Sequence, residues 1–113
     1  MEHDITDDDG VRVITLHGPI DVSSAMALRD LLGAQIDSPA ARVLVDLTDV
    51  ALIDSSGIGI LVTAHRRAAG QGAAFALAGP SGAVARVFAM TRTNKLLTIH
   101  ETTEEGVAAL RRA

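Results

Sequence analysis

Residues 43–61 read VLVDLTDVALIDSSGIGIL, and this stretch decides the fold. Val43-Leu44-Val45-Asp46-Leu47 is a short apolar run between turn signals, which reads as a buried, central, parallel strand. Ile58, Leu61, Val62 and His65 then recur at helical spacing. Between the two lies Val50-Ala51-Leu52-Ile53-Asp54-Ser55-Ser56-Gly57. It reads as a loop that leaves a strand and enters an apolar-faced helix, which Gly70 and Gly72 end.

Toward the N-terminus, Ile5 to Leu16 carries Asp9-Gly10 between two extended stretches. Asp-Gly favours a tight turn with positive φ, so an N-terminal hairpin is expected. Val11, Val13 and Thr15 would share one face, and Arg12, Ile14 and Leu16 the other. Gly18-Pro19 ends the second strand. Ser23 and Ser24 are candidate N-caps for a helix marked by Leu28, Leu31, Leu32 and Ile36, which Ser38-Pro39 stops. Strand, helix and the run 43–47 make a β-α-β unit.

Toward the C-terminus, Phe75-Ala76-Leu77-Ala78 reads as a third inner strand and Gly79-Pro80-Ser81 as a turn and cap. Val84, Val87 and Phe88 mark a short helix. Leu96 to Ile99 reads as a last strand at the sheet edge. Thr102-x-x-Glu105 has the pattern of a capping box before a terminal helix with Val107 and Leu110. The order ββαβαβαβα predicts an α/β fold, a single mixed sheet of about five strands with about four helices packed on it. No linker or repeat divides the chain, so residues 1–113 are expected to form one domain.

Composition narrows the function. With 48% hydrophobic residues and 2% aromatic, the core must be aliphatic. The aromatics are Phe75 and Phe88, too few for a base-stacking platform. The net charge of -4 argues against nucleic-acid binding. Absence of cysteine excludes disulfides, thiolate metal sites and cysteine nucleophiles. The acidic N-terminus resembles no signal peptide, and no apolar run is long enough to span a bilayer. A cytoplasmic protein is the expectation.

His3, His17, His65 and His100 form no spaced ligand pair, so no metal is expected. Gly57-x-Gly59 and Gly70-x-Gly72 lack the rest of a dinucleotide fingerprint, and no Walker lysine follows a glycine loop. Ser56 is not in a Gly-x-Ser-x-Gly elbow. No cofactor is expected, and an enzyme reading ranks behind a binding module. Asp46 reads as a strand-end carboxylate bonded to loop amides.

The chemistry gathers at Asp54-Ser55-Ser56-Gly57. Ser56 is placed at or near the N-cap of the following helix, where its hydroxyl would accept from a free backbone N–H. That helix end also favours an anion. A phosphoryl group on Ser56 would add about -1.5 to -2 charges. Gly57 and Gly59 would keep the surface low for an approaching partner. Asp21, which follows the second strand, would join Asp54 at one sheet edge. From the residues alone, a cap and turn is the simpler reading of Ser56.

From Val11 to about Leu110 the chain resembles the STAS domain family, and specifically the bacterial anti-sigma factor antagonists. Gly18-Pro19-Ile20-Asp21 looks like the family's Gly-x-(Leu/Ile)-Asp turn. Val43 to Leu47 resembles its central strand. Ile53-Asp54-Ser55-Ser56-Gly57-Ile58-Gly59 is similar to its Asp-Ser-Ser-Gly-(Leu/Ile)-Gly signature. Val84-Ala85-Arg86-Val87-Phe88-Ala89-Met90 looks like its later helix. The resemblance implies a STAS fold and makes Ser56 the phosphate acceptor. It implies that the unphosphorylated form binds an anti-sigma factor that is also a GHKL-type serine kinase, so freeing a sigma factor. Phosphorylation ends that binding, and a PP2C-type phosphatase resets it.

The residues singled out for partner contact are Asp21, Asp54, Ser55, Ser56, Gly57 and Ile58, in a protein expected to be monomeric. Two departures stand out: Pro19 replaces an acidic residue of the turn, and Thr91-Arg92-Thr93-Asn94 occupies a corner where relatives carry a small residue, glycine and leucine. Other STAS roles are the accessory subunit of an ABC-type lipid transporter and the scaffold of a stress complex. The intact Asp-Ser-Ser-Gly favours the switch.

Overall fold

The computed structural model describes residues 1–113. Five strands form one sheet: β1 (Glu2–Asp8), β2 (Val11–His17), β3 (Arg42–Asp49), β4 (Ala74–Ala78) and β5 (Ile99–His100). They lie in the order β1-β2-β3-β4-β5, with β1 antiparallel to β2 and the rest parallel. Four helices alternate with them: α1 (Ala25–Gln35), α2 (Ser55–Gln71), α3 (Gly82–Met90) and α4 (Thr103–Arg111).

The hairpin forms as the Asp-Gly pair dictates. Asp8 pairs with Val11, and Asp9 and Gly10 turn with φ of 55° and 85°. Asp7 Oδ1 accepts from the Gly10 amide at 2.9 Å and fixes the turn. Both faces of β2 are covered. Ile14 and Leu16 pack under α1, α2 and α3 with Val43, Val45, Leu47 and Leu77. Val11 and Val13 pack with Leu44, Ala76 and the α4 residues Val107 and Leu110. This two-sided burial is why β3 reads as a nearly continuous apolar run. β1 lies beyond the helices and is exposed along its length; its acids guard a free sheet edge.

Asp46 was expected at a strand end bonded to loop amides; β3 runs on to Asp49, so it lies within the strand and bonds a residue of the same strand. Its carboxylate accepts from the Thr48 amide at 3.0 Å and from the Thr48 hydroxyl. Ser81 caps α3 by accepting from the Val84 amide, and Thr102 caps α4 by accepting from the Glu105 amide. No helix is long and apolar enough to cross a membrane.

Two further expectations are corrected. Ser24 stands at the N-cap position of α1, but its side chain makes no capping bond. Its buried hydroxyl turns back, accepting from the Asp21 amide at 3.0 Å and donating to the Asp21 carbonyl at 3.1 Å. The last strand is Ile99–His100 rather than Leu96 to Ile99. A 3-10 turn over Thr93–Lys95 consumes the preceding residues. The Leu96 and Leu97 amides donate to the Thr93 carbonyl at 3.0 and 2.8 Å, so they are unavailable to a ladder.

That corner holds Arg92 at φ 60°, in the left-handed region that L side chains pay to enter. The Thr91 hydroxyl pins it by donating to the Val87 carbonyl at 2.8 Å. Arg92→Gly is therefore expected to stabilise the protein by about 1 kcal/mol. Urea unfolding should show a higher midpoint at unchanged slope. A lower midpoint would mean that contacts of the arginine outweigh the backbone strain.

Candidate functional site

The site is built where β2 and β3 both run out at the same end of the sheet. Beyond their regular pairing, Ile20 and Ile53 form an isolated parallel bridge. The Ile20 amide donates to the Leu52 carbonyl at 2.9 Å, and the Asp54 amide donates to the Ile20 carbonyl at 3.1 Å. Asp21 and Asp54 each follow a residue of this bridge. The expected meeting of the two acids therefore occurs, and the bridge is its cause.

Asp54 is the N-cap of α2. Its backbone is still extended, at φ -108° and ψ -175°, as the bridge to Ile20 requires. Its Oδ1 accepts from the Ser56 amide at 2.9 Å and the Gly57 amide at 3.2 Å. Ser56 was expected at or near that cap. It lies two residues past it as the second residue of the helix, half-buried, while Ser55 before it is exposed. The Ser56 hydroxyl makes no hydrogen bond: Asp54 caps the helix, and the Ile58 amide ahead of Ser56 is already donated to the Asp54 carbonyl at 3.0 Å.

Asp21 is half-buried and organises the opposite loop. Its Oδ1 accepts from the Ser23 hydroxyl at 2.6 Å and the Ser23 amide at 3.0 Å. The hydroxyl bond is the main reason its carboxyl is held below the usual range, against the opposing effect of partial burial. Asp21 and Asp54 are thus organised carboxylates on neighbouring segments, each tied to its own loop.

Gly57 and Ile58, expected among the partner contacts, are both buried within the chain. Ile58 is 6% exposed and sits in the core. Gly57 is buried, and a Cβ there would lie 2.5 Å from Ile20 Cγ2 and 2.8 Å from Ile53 Cγ1. Its missing side chain lets α2 start directly on the bridge. Gly59 points to open space, so it alone keeps the outer surface low.

Sequence reasoning missed three exposed apolar residues on the segments that meet here: Val22, Met26 and Leu52, exposed by 76%, 61% and 66%. Met26 falls off the Leu28–Leu32–Ile36 stripe, and that break in periodicity was the available signal.

This geometry sets the signature in the context that defines it: strand, bridge, aspartate cap, free serine, inward glycine. The family profile for the STAS domain matches residues 2–106. The chain belongs to the STAS domain family. Among STAS relatives, the anti-sigma-B factor antagonist of Bacillus subtilis is 31% identical over 94 residues, covering 83% of this chain and 85% of that one. The anti-sigma-F factor antagonist RsfB of Mycobacterium tuberculosis is 27% identical over 95% of this chain and 87% of its own. A relative from Thermotoga maritima is 31% identical over 71 residues, and that alignment spans 63% of either chain.

Solved STAS structures superpose closely. An anti-sigma factor antagonist from Mycobacterium paratuberculosis gives a TM-score of 0.87 at 28% identity, covering 97% of this chain and 93% of its own. SpoIIAA in its unphosphorylated form gives 0.72 at 19% identity, with 97% and 98% covered, a likeness of fold. The fold is therefore the one the sequence resemblance implied.

Proposed function

We propose that this chain is an anti-sigma factor antagonist in a partner-switching cascade, turned off by phosphorylation of Ser56. The unphosphorylated form binds an anti-sigma factor that is also a GHKL-type serine kinase and so releases a sigma factor. Transfer of phosphate to Ser56 ends the binding, and a PP2C-type phosphatase removes it. The protein is a substrate and a ligand rather than an enzyme. It acts as a cytoplasmic monomer of one domain over residues 1–113.

The free hydroxyl of Ser56 is the observation that carries this reading. Capping was the competing explanation for a serine here, and Asp54 performs it. What is left is an unbonded hydroxyl on the first turn of a helix, with the capping carboxylate of Asp54 two residues before it and exposed apolar side chains on the adjoining segments. The helix N-terminus tolerates an added anion within the fold. The same anion, close to the Asp54 carboxylate, repels an acidic partner surface and desolvates poorly against an apolar one.

Mass spectrometry of protein from its own host, with and without phosphatase, is the direct test. A phosphate on Ser56 is expected. In kinase labelling, Ser56→Ala should abolish incorporation, while Ser55→Ala should leave some. Equal labelling of the two variants would break the assignment. Protein that stays unmodified and co-purifies with an ATPase and a permease would replace this reading with a transporter brace.

A further inference from the structure

His17 closes the end of β2, and both of its ring nitrogens meet a carboxylate. Nε2 lies 2.8 Å from Asp4 Oδ2 on β1, and Nδ1 lies 3.0 Å from Asp49 Oδ2 at the end of β3. The β2–β3 register slips between Thr15 and His17, which sets His17 opposite Asp49 rather than Thr48. Ionised carboxylates only accept, and a neutral imidazole has one N–H. The Nε2 contact has hydrogen-bond geometry and the Nδ1 contact is a close ion pair; both are favourable together only when His17 carries two ring protons and a positive charge.

We propose that Asp4, His17 and Asp49 form a proton-operated clamp that fastens the β1 edge to the switch end of the sheet and loosens when His17 gives up its second ring proton. β1 is otherwise exposed and held by β2 alone. The clamp ties it across β2 to β3. When His17 releases a ring proton to water, one carboxylate loses its donor, and Asp4 and Asp49 face each other across a neutral ring. The other ionisable groups lining this cleft are the Met1 amine, just before β1, and Glu2 and His3 of β1.

The clamp also connects to the switch. The Gly18 amide donates to the Asp49 carbonyl at 3.3 Å, and the next links are Ile20 to Leu52 and Asp54 to Ile20. Asp54 then holds the Ser56 amide. A loosened Asp49 is thus a few hydrogen bonds from Ser56. This part of the inference rests on Ser56 being the switch.

The carboxylates act in one direction. The bond to Asp4 is the largest contributor holding the His17 pKa above the usual imidazole value, and Asp49 adds to it. The sign follows. The clamp's contribution is complete below the unfolded-state value of about 6.5 and disappears as pH rises through the higher folded value. His17, Asp4 and Asp49 are 34%, 73% and 57% exposed, so solvent screening keeps the effect local.

The test is an NMR titration of the isolated, unphosphorylated chain between pH 5.5 and 8.5. The His17 ring should titrate with a midpoint above about 6.5. Exchange of β1 amides, corrected for intrinsic base catalysis, should accelerate about three- to tenfold over the same interval. The Asp54 and Ser56 amide shifts should follow the same midpoint. His17→Gln should flatten both responses, and Asp4→Asn should lower the midpoint.

A His17 midpoint at or below the usual value, or β1 exchange indifferent to its protonation, overturns the clamp. A β1 response without movement at Asp54 and Ser56 overturns the link to the switch. No kinase enters the measurement, so a failure here leaves the phosphorylation reading standing. Absence of phosphate on Ser56 would in turn leave the clamp standing.

Discussion

Protein phosphorylated on Ser56 is expected to bind its anti-sigma factor roughly 5–150-fold more weakly than the unmodified form, the usual span of a coupling between two states. Ser56→Glu should fall at the lower end, since one carboxylate charge replaces the nearly two of a phosphate. Ser56→Ala should retain full affinity and change stability by less than about 0.5 kcal/mol, because the hydroxyl bonds nothing in the free protein. Titration calorimetry with the cognate anti-sigma factor, paired with urea unfolding of each variant, separates the outcomes. Full affinity in the phosphorylated form would end the proposal. A clear loss of stability in Ser56→Ala would show that the serine is structural after all.

Gly57→Ala is expected to destabilise the fold by about 1–3 kcal/mol, the usual cost of overpacking. The new methyl would meet Ile20 Cγ2 at 2.5 Å and Ile53 Cγ1 at 2.8 Å. Both atoms branch close to the backbone of β-branched side chains, which have few rotamers to retreat into. The start of α2 must then lift from the Ile20–Ile53 bridge, carrying Ser56 with it.

Gly59→Ala is the control, with the same substitution two residues along the same helix and open space around the new methyl. It should be neutral or stabilising by about 0.5–1 kcal/mol, since alanine is the better helix former. Equal effects at the two positions would remove the packing role assigned to Gly57. A stable Gly57→Ala that loses partner affinity would return the residue to the interface.

Much of this molecule is legible without coordinates. Asp9-Gly10 announces its turn by the residues that tolerate positive φ. The run from Val43 to Leu47 announces a strand covered on both faces. Asp-Ser-Ser-Gly announces the family. The last strand was misplaced because Leu96 and Leu97 are apolar in either setting; Thr93, whose carbonyl takes both their amides, makes them a turn. The cap was misassigned because aspartate and serine have nearly equal capping preference, so adjacent candidates are not separable by propensity.

By itself, the sequence determined the order of elements, the inner strands, the family and the serine to examine, because each follows from local pattern: periodicity, turn chemistry and a contiguous signature. The tertiary structure alone decided the rest. The bridge between Ile20 and Ile53, residues far apart in the chain, holds Asp54 in extended geometry. A residue held there cannot be helical, so it becomes the cap and leaves Ser56 free. The same bridge turns Gly57 inward and brings Asp21 to Asp54. The pairing of three strands brings Asp4 and Asp49 to His17. These are long-range contacts, fixed by how strands align and not by what neighbours a residue has in sequence.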